Sequence, residues 1–391
     1  MYNTKILLTG AKRSDFVEEI YLDNAATTRC DPQAANIALE LMTTEYANPS
    51  SLHSKGISAH KRLDIARQQL ATSLGCDPEE VVFTSSGTQS NNIGILGSAR
   101  QRSKNGGGIV GISTMHPSAI KPIEYLGSQG MCIDLLPPKP DGSHDIEAIA
   151  NAVAEDTILL VCDFVNSEVG SIAPIERISR AARRKSRNIH IHVDGVQAFG
   201  KVKFSSRSLD IDSMAISGHK IFAPKGCGAL YLRRGAKIKQ LLFGSSQERG
   251  IYPGTENTPA ICAFGHMSRI VCDNFDERHA RVLEICEYFV KKASQIPGVC
   301  MNSPPGATPY ICNISIPNIA SEPMIHFLAA RGIYLSGGSA CSKGALSPVL
   351  TAMGLERRRI RGALRISFSP QNRAEDVDKL IEALRIGIAT L

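Results

Sequence analysis

The sequence predicts an α/β protein with a mainly parallel sheet, followed by a smaller α+β part. Apolar runs of strand length alternate with helical patterns from about residue 81 to residue 232, which is typical of a parallel sheet covered on both faces. Two of these runs, 189–193 and 212–216, are each followed by polar residues. Because α/β folds bind ligands at the carboxyl ends of their strands, we expect the functional site at this edge of the sheet.

The spacing of apolar residues and the turn residues predict the elements in chain order. A short strand beginning at residue 21 is followed by helices at 32–42 and 58–74, the second of which ends at Gly75. The α/β part then has strands at 81–83, 111–116, 158–164, 189–193, 212–216 and 226–232, with helices at 93–100, up to 154 and at 176–184. The last part has a long helix at 259–295, strands at 310–316, 333–335 and 364–368, and helices at 322–331 and 374–389.

Lys220 and Asp194 are the most informative residues at the ends of the two central strands. A lysine whose pKa is lowered by burial or by a neighbouring cation can carry a carbonyl cofactor as a Schiff base. A buried aspartate is the group that a pyridinium nitrogen needs opposite it. Either residue alone is more often structural. Together with Gln197, Ser217 and His219, the pair indicates pyridoxal 5'-phosphate (PLP).

A phosphate group would fit the start of the predicted helix that follows the strand at 81–83. Ser86, Gly87 and Thr88 precede it, and small residues at a helix start leave backbone N–H groups free for an anion. Such residues are usually only a helix cap, so this interpretation depends on the PLP site nearby. His116 follows the next strand, where an imidazole could stack on a cofactor ring and shuttle protons. A lone histidine is more often structural, so this assignment depends on the family resemblance given below.

Cys341 lies in a stretch rich in glycine and serine, residues 336–344, which predicts a mobile, exposed loop. The nearby Lys343 would favour its thiolate form, which is the reactive form of cysteine. A free cysteine is more commonly buried and structural, but no large apolar residue flanks Cys341. We therefore predict a nucleophilic thiol.

Several separate motifs occur in the order that one known family shows. In chain order they are Asp-Asn-Ala-Ala-Thr-Thr at 23–28, Asn-Pro-Ser-Ser-Leu-His at 48–53, His-Val-Asp-x-x-Gln at 192–197, Ser-Gly-His-Lys at 217–220, Gln-Glu-Arg-Gly at 247–250 and Gly-Ser-Ala-Cys-Ser-x-Gly at 338–344. From about residue 21 to its end, the chain closely resembles the NifS/IscS-like cysteine desulfurases of the class V aminotransferase superfamily.

This resemblance implies a fold, an activity and partners. The fold is the PLP-dependent transferase fold type I, with a mainly parallel sheet of the seven-stranded type in a large domain (34–262) and a smaller α+β domain (1–33 and 263–391). The activity is release of sulfur from L-cysteine, which leaves L-alanine and a persulfide on Cys341. The partners are a second copy of the chain, in a homodimer with active sites at its interface, and a sulfur acceptor. That acceptor is a scaffold protein for iron–sulfur clusters or a tRNA-thiolation enzyme.

The resemblance also implies roles for individual residues. The implied catalytic residues are Lys220, which carries the cofactor, Cys341, which takes the sulfur, and His116, the acid/base that stacks on the ring. The implied cofactor-binding residues are Gly87, Thr88, Asn166, Ser167, Asp194, Gln197, Ser217, His219, Lys220 and Thr255, the last reaching the phosphate from the other subunit. The implied substrate-binding residues are Arg365, which clamps the carboxylate through its bidentate fork, with Asn166 or Ser167.

The chain departs from the family pattern at a few positions near these residues. Ser167 stands where a second asparagine is usual, and Met115 stands where an acidic residue is common. Tyr252-Pro253 replaces Arg-Ser, and Ser245-Ser246 replaces Gly-Gly. The departures bear on substrate affinity and on the loop predicted to cross the dimer interface.

Composition argues against several other classes of protein. The 44 basic and 37 acidic side chains leave a net charge of only +7, and the basic clusters are best interpreted as solvated helix faces, so no direct nucleic-acid partner is expected. No apolar run approaches the ~20 residues of a membrane span, and residues 1–19 lack the pattern of a signal peptide. The 11 scattered cysteines include no C-x-x-C pair, which favours reduced thiols in the cytoplasm over disulfides or a metal site.

Two other functions are compatible with parts of this pattern. One is another PLP reaction on the same scaffold, such as selenocysteine lysis or transamination. The other is a non-catalytic homologue that only binds partners. Cys341 in its loop argues against transamination, and the presence of both Lys220 and Cys341 argues against an inactive homologue.

Overall fold

The computed structural model describes residues 19–103, 107–337 and 346–391. The strands in these ranges are β1 Ile20–Tyr21, β2 Val81–Thr84, β3 Gly108–Ile112, β4 Cys132–Leu136, β5 Thr157–Asp163, β6 His190–Asp194, β7 Ser213–Ser217, β8 Gly228–Leu232, β9 Cys300–Met301, β10 Ile311–Ser315, β11 Ile333–Tyr334, β12 Ser336–Gly337 and β13 Ala363–Ser367. The α-helices are α1 Pro32–Thr43, α2 Ser54–Leu74, α3 Gly87–Arg102, α4 Pro117–Ser128, α5 Ile146–Ala152, α6 Ile175–Lys185, α7 Thr258–Asp273, α8 Phe275–Ala293, α9 Ser321–Ala329, α10 Pro348–Ala352, α11 Arg357–Arg361 and α12 Ala374–Thr390.

The central sheet has seven strands in the order β2-β8-β7-β6-β5-β3-β4. Strands β3 to β7 pair in parallel, whereas β8 is antiparallel to both of its neighbours. Every residue of β6 and β7 is buried, as expected for strands of a parallel sheet that is covered on both faces. The predicted α/β fold with a mainly parallel sheet of seven strands is confirmed.

The register of this sheet brings the carboxyl ends of three strands together. Asp163 at the end of β5 pairs with Asp194 at the end of β6, and Asp194 pairs with Ala215 of β7. The loops that follow these strands therefore leave the sheet side by side. The edge expected to hold the functional site is formed in this way.

Helix α3 begins at Gly87, not at residue 93 as predicted. Ser86 caps it, since the Ser86 Oγ accepts a hydrogen bond from Gln89 N at 3.2 Å. The prediction followed the apolar residues, which start at Ile93. The first turns of α3 are polar instead, and Gly87 and Thr88 line the site described below.

The helix predicted over 259–295 is two helices, α7 and α8, which meet at Asn274. The side chain of Asn274 donates to the Ile270 carbonyl at 2.9 Å and so satisfies a backbone group at the end of α7. Asp276 and Glu277 then open α8, where acidic residues favour a helix start. The apolar spacing continues through both helices, and for this reason the pattern gave no sign of the break.

Two elements between residues 116 and 137 were not predicted. Helix α4 contains Pro122, a residue that usually interrupts helices. Strand β4 lies at the edge of the sheet and is half-exposed, so it lacks the apolar run of the inner strands. Both elements are stabilised by tertiary contacts with the sheet and its covering helices, which a local sequence pattern does not show.

The second sheet has four antiparallel strands in the order β12-β13-β10-β9. Strand β1 pairs in parallel with β11, and Asp23 forms a bridge with Ser367 of β13. These pairings carry the segment 23–28 to the central sheet, where Thr28 N donates to the His219 carbonyl at 2.9 Å. The division into domains at 34–262 and at 1–33 with 263–391 stays a prediction.

Candidate active site

A cavity of about 200 Å³ opens at the carboxyl ends of β5, β6 and β7. Most of the residues that the sequence predicted for cofactor binding line it: Gly87, Thr88, His116, Ser167, Asp194, Gln197, Ser217, His219 and Lys220. They come from four separate loops and one helix start. The fold therefore brings together residues that span more than 130 positions in the sequence.

One end of the cavity suits an anion. Gly87 and Thr88 lie at the N-terminus of α3, where backbone N–H groups have no partner within the helix. The Ser217 Oγ is buried, and within the described residues it has no hydrogen-bond partner. Gly87 cannot be replaced freely, because a Cβ there would lie 2.6 Å from Val196 Cγ2. A bound phosphate would satisfy both the hydroxyl and the helix start.

Asp194 lies at the centre of the cavity and is held from two sides. Its Oδ2 accepts from Asn91 Nδ2 at 2.8 Å, and its Oδ1 accepts from Val196 N at 3.0 Å. Burial raises the pKa of the Asp194 carboxyl, and the two hydrogen bonds and the nearby His116 oppose this rise. A cationic ring nitrogen opposite Asp194 would compensate for the burial of a carboxylate.

A chain of buried hydrogen bonds supports Asn91 from behind. Asn91 Oδ1 lies 3.0 Å from His192 Nε2, and Ser213 Oγ lies 2.8 Å from both His192 Nδ1 and His190 Nε2. Burial lowers the pKa of His192 to about 3, so this imidazole is neutral. Gly94 makes room for the ring, since a Cβ there would lie 2.4 Å from His192 Cε1. The chain fixes the Asn91 amide and, through it, Asp194.

His116 is connected to the same network through Ser118. Ser118 N donates to His116 Nδ1 at 3.1 Å, so in the neutral ring the proton is on Nε2. Ser118 Oγ lies 2.8 Å from both His116 Nδ1 and Asn91 Nδ2. Loss of solvent lowers the pKa of His116, and Lys220 lowers it further, whereas Asp194 raises it. Asn91 thus links the aspartate to the histidine.

A second carboxylate, Asp163, lines the cavity next to Asp194. Asp163 Oδ1 lies 3.2 Å from His144 Nε2, and Asp163 Oδ2 accepts from Asn166 Nδ2 at 3.2 Å. Its charge also raises the pKa of Asp194. Sequence analysis identified neither Asp163 nor Asn91 as a site residue. The position of Asp163 at the end of a predicted strand was the available signal for that residue.

Lys220 reaches the cavity from the turn after β7. Its Nζ donates to the carbonyls of Ala25 and Ala26, both at 2.6 Å. These carbonyls belong to the segment that the second sheet carries across. The amine therefore lies where the two sheets meet, close to Gln197, which also donates to the Ala25 carbonyl at 2.8 Å.

A larger cavity of about 530 Å³ adjoins the first, and His116, Ser167, Gln197 and Lys220 line both. Arg365 on β13 lines the larger one and is almost fully buried. Its guanidinium donates to the Ser167 carbonyl and to Asp23 Oδ1, both at 3.0 Å. The Arg365 Nε is buried and has no acceptor within the described residues. A substrate carboxylate fits this position.

Glu168 also lines the larger cavity and is buried. Burial raises its pKa to about 7, and the hydrogen bond from Ser347 and the charge of Arg365 limit the rise. Ser347 Oγ donates to the Glu168 carboxyl and also caps α10. Glu168 therefore ties the loop after β5 to the start of α10.

Two of the predicted residues, Asn166 and Thr255, line neither cavity. The Asn166 side chain already forms hydrogen bonds within the protein. Its Nδ2 donates to Thr114 O and Asp163, and its Oδ1 accepts from the backbone of Glu168 and Val169. Ser167, which shares its predicted role, does line the cavity. Thr255 is exposed and lines neither cavity. Cys341 lies outside the described residues.

No metal centre is found in the part of the chain that the structure describes. Its His, Cys, Asp and Glu side chains form no group of three or more that could hold an ion. In the same ranges, none of the helices has both the length and the apolar character needed to cross a membrane.

The donor set of the two cavities fits PLP. The phosphate corresponds to the start of α3 with Ser217, the ring nitrogen to Asp194, the carbonyl to Lys220 and an amino-acid carboxylate to Arg365. The unpartnered Ser217 Oγ and the buried Asp194 are the two features that a bound cofactor would explain.

This fold and site define a PLP-dependent enzyme built on a mainly parallel sheet. The model of the aminotransferase class-V family matches residues 20–380, and the chain belongs to this family. It is 36% identical over 368 residues to cysteine desulfurase IscS of Methanosarcina thermophila, covering 93% of this chain and 91% of the relative. Cysteine desulfurases of this family are PLP-dependent.

Solved structures with the same fold carry related names. A NifS-like protein superposes with a TM-score of 0.91 at 32% identity, covering 95% of this chain and 100% of that one. SspA in complex with cysteine superposes with a TM-score of 0.80 at 30% identity, covering 90% of this chain and 100% of that one. The predicted fold and the predicted membership of the NifS/IscS-like group are confirmed.

Proposed function

We propose that this protein is a PLP-dependent cysteine desulfurase that converts L-cysteine to L-alanine and leaves the sulfur as a persulfide on Cys341. The observation that carries the proposal is the convergence of Lys220, Asp194 and the start of α3 on one cavity, with Arg365 in the adjoining one. Such a cavity binds a phosphorylated pyridine aldehyde together with an amino acid. The curated relatives named cysteine desulfurase support the choice of substrate.

Bound PLP supplies an electrophilic carbonyl and a ring that withdraws electrons from the α-carbon of an amino acid. Lys220 is the amine that holds the cofactor and that, once displaced, removes the α-proton of the substrate. It suits this role because it lines the same cavity as Asp194 and the start of α3. Its hydrogen bonds to Ala25 and Ala26 keep the Nζ at the mouth of the cavity.

Asp194 and His116 both line the cavity and would have different roles toward a bound cofactor. Asp194 holds a proton on the ring nitrogen, and a carboxylate fixed by Asn91 and Val196 can do so without rearrangement. His116 presents a neutral imidazole with its proton on Nε2, because Nδ1 accepts from Ser118 N. That N–H can donate to, or exchange a proton with, a group in the cavity.

Arg365 positions the substrate. The buried Arg365 Nε and the flanking hydrogen bonds of the guanidinium give a fixed donor for a carboxylate. Ser167 lines both cavities and takes the role that Asn166 cannot take while its amide is bound by Asp163 and by the backbone. These contacts support Ser167 for the role that the sequence left open between the two.

Cys341 supplies the thiolate that attacks the sulfur of the bound L-cysteine. A sulfur–sulfur bond forms, the carbon–sulfur bond of the substrate breaks, and its electron pair passes to the carbon skeleton, which takes up protons to give L-alanine. The balance is one L-cysteine and one enzyme thiol to one L-alanine and one enzyme persulfide. Turnover therefore needs a thiol of another molecule to take the sulfur, and we infer that an iron–sulfur scaffold or a tRNA-thiolation enzyme provides it.

The decisive experiment measures alanine and sulfide released from L-cysteine by the PLP-loaded protein. With dithiothreitol present, we expect both products in equal amounts; without it, we expect a burst of about one equivalent of alanine per enzyme and then a much slower rate, because only the thiol of L-cysteine is left to take the sulfur. Alanine release from selenocysteine, with none from L-cysteine, would indicate a selenocysteine lyase instead. Formation of pyruvate or of a keto acid would indicate a different PLP reaction.

We also propose that the protein acts as a homodimer in the cytoplasm. Leu52 and Phe243 are 94% and 86% exposed, and further large apolar side chains are exposed at Leu39, Met42 and Tyr46. Single exposed apolar residues are common, but four of them within residues 39–52, together with Phe243, are typical of an interface. Thr255 is exposed outside the cavity of its own chain, as a residue that serves the partner's cavity would be.

Phe243→Ser combined with Leu52→Ser is expected to shift the protein from dimer toward monomer, because each substitution removes a large apolar surface from the proposed interface. Light scattering over a dilution series measures the shift, and the PLP affinity should fall with it if Thr255 acts across the interface. Ile386→Ser, at an exposed apolar residue of α12, is the matched control and should leave the dimer unchanged. A parent protein that is monomeric and active at assay concentration would rule the dimer out.

A further inference from the structure

A lysine with no part in the activity described above is buried beside the site. Lys201 is 6% exposed and lies at the end of the turn that follows β6 and Asp194. It lines a small pocket next to the main cavity together with Lys220, Arg278 and Tyr310. None of the residues that line this small pocket is acidic, so no carboxylate offsets the buried amine there.

The surroundings of Lys201 favour a neutral amine. Burial, followed by the charges of Lys220 and Arg365, lowers its pKa to about 7. The Tyr310 ring lies 6.0 Å from its Nζ. Buried lysines without a counter-ion are rare, because burial of the amine costs free energy. They occur where the amine has a specific hydrogen-bond partner.

That partner is Gln197. Lys201 Nζ donates to Gln197 Oε1 at 2.8 Å, and Gln197 Nε2 donates to the Ala25 carbonyl at 2.8 Å. The two ends of a glutamine amide are hard to distinguish by shape alone. Here both neighbours agree, because a backbone carbonyl only accepts and an amine readily donates. Oε1 therefore faces Lys201, and the amide NH2 faces Ala25 and the cavity.

This orientation determines what Gln197 can offer a ligand. One hydrogen of Nε2 is used by Ala25, and the other remains for an atom in the cavity that Gln197 lines. With Oε1 held by Lys201, the amide presents a donor to the cavity. An oxyanion on a ring of the bound cofactor takes such a donor, whereas a carbonyl oxygen turned toward it would repel it.

We propose that Lys201 is a positioning residue that holds the Gln197 amide with its N–H directed at the cofactor. It acts through Gln197 and does not itself touch the cofactor or the substrate. The inference rests on the proposed function only in that it takes the ligand of the cavity to be PLP.

Lys201→Met tests the proposal, because it keeps the length and the apolar stem of the side chain and removes the donor. The unsupported amide can turn over, so we expect PLP to bind the apoprotein about tenfold more weakly. Fluorescence titration of the apoprotein with PLP measures this without any turnover. Lys203→Met, at an exposed lysine two residues further along, is the matched control and should leave the affinity unchanged.

A double-mutant cycle separates positioning from a general structural effect. If Lys201 acts through Gln197, Lys201→Met combined with Gln197→Ala should bind PLP no more weakly than Gln197→Ala alone. Lys201→Gln keeps an N–H donor and should retain more affinity than Lys201→Met. Urea unfolding of each apoprotein reports separately on the stability of the fold.

The proposal would be overturned if Lys201→Met bound PLP with the affinity of the parent. It would also be overturned if the loss of PLP affinity in the double mutant equalled the sum of the losses in the two single mutants. Weaker binding by Lys201→Gln than by Lys201→Met would also contradict it. Failure of the proposed function has a different signature, since a parent protein that binds PLP but forms no alanine would contradict the desulfurase activity alone.

Discussion

Lys220→Ala is expected to abolish alanine release from L-cysteine and the covalent retention of PLP. Among the described residues, Lys220 is the lysine that lines the main cavity, and Lys201 in the neighbouring pocket is bound to Gln197. Removal of a proton-transferring group costs about 10²–10⁴-fold in rate, and loss of the covalent attachment adds to it. The remaining activity should therefore lie below about one thousandth of the parent rate.

Two measurements check this result independently. Borohydride reduction followed by mass spectrometry should find PLP on the peptide that contains residue 220 in the parent, and no labelled peptide in the variant. Lys225→Ala, at an exposed lysine five residues further along the same loop, is the control and should behave as the parent does. Covalently bound PLP in Lys220→Ala would refute the assignment of Lys220.

Cys341→Ser is expected to stop sulfur transfer while leaving the cofactor site intact. A serine hydroxyl is hardly ionised near neutral pH, whereas a thiol with a pKa near 8.5 next to a lysine is partly ionised. The hydroxyl is also a poor nucleophile toward sulfur. We expect PLP to bind with parent affinity and alanine release to fall by at least about 100-fold.

Mass spectrometry of the whole protein provides the direct readout. After treatment with L-cysteine, the parent should gain the mass of one sulfur atom, and Cys341→Ser should not. Cys132→Ser, at an exposed cysteine of β4, removes a different accessible thiol and should keep both the added sulfur and the activity. Alanine released by Cys341→Ser at the parent rate would replace the desulfurase with a lyase that uses no enzyme thiol.

The fold was predictable where a local pattern and the tertiary structure agree. The inner strands are almost entirely buried, so their sequences are short apolar runs that the pattern identifies within a residue or two, as for β5, β6 and β7. The pattern failed where an element owes its limits to polar contacts. The break between α7 and α8 depends on the Asn274 side chain, and the start of α3 depends on Ser86.

The site was predictable to the extent that single residues have characteristic chemistry. Lys220 and Asp194 carry charge at the ends of apolar strands, where a buried charge indicates a function, whereas Arg365 was identified only through the family resemblance. Asn91 and Lys201 were not identified, because an amide in a helix and a lysine in a turn are ordinary in sequence. Only their partners, Asp194 and Gln197, give them a role.

The sequence by itself determined the fold class and the family and predicted the reactive groups, since apolar periodicity and motif order are properties of the chain alone. The tertiary structure decided how those groups are held. Asp194 receives its support from residue 91, Lys220 from residues 25 and 26, and Arg365 from residues 23 and 167. These contacts join positions more than 100 residues apart, and no local pattern records which distant backbone carbonyl or amide will complete a buried hydrogen bond.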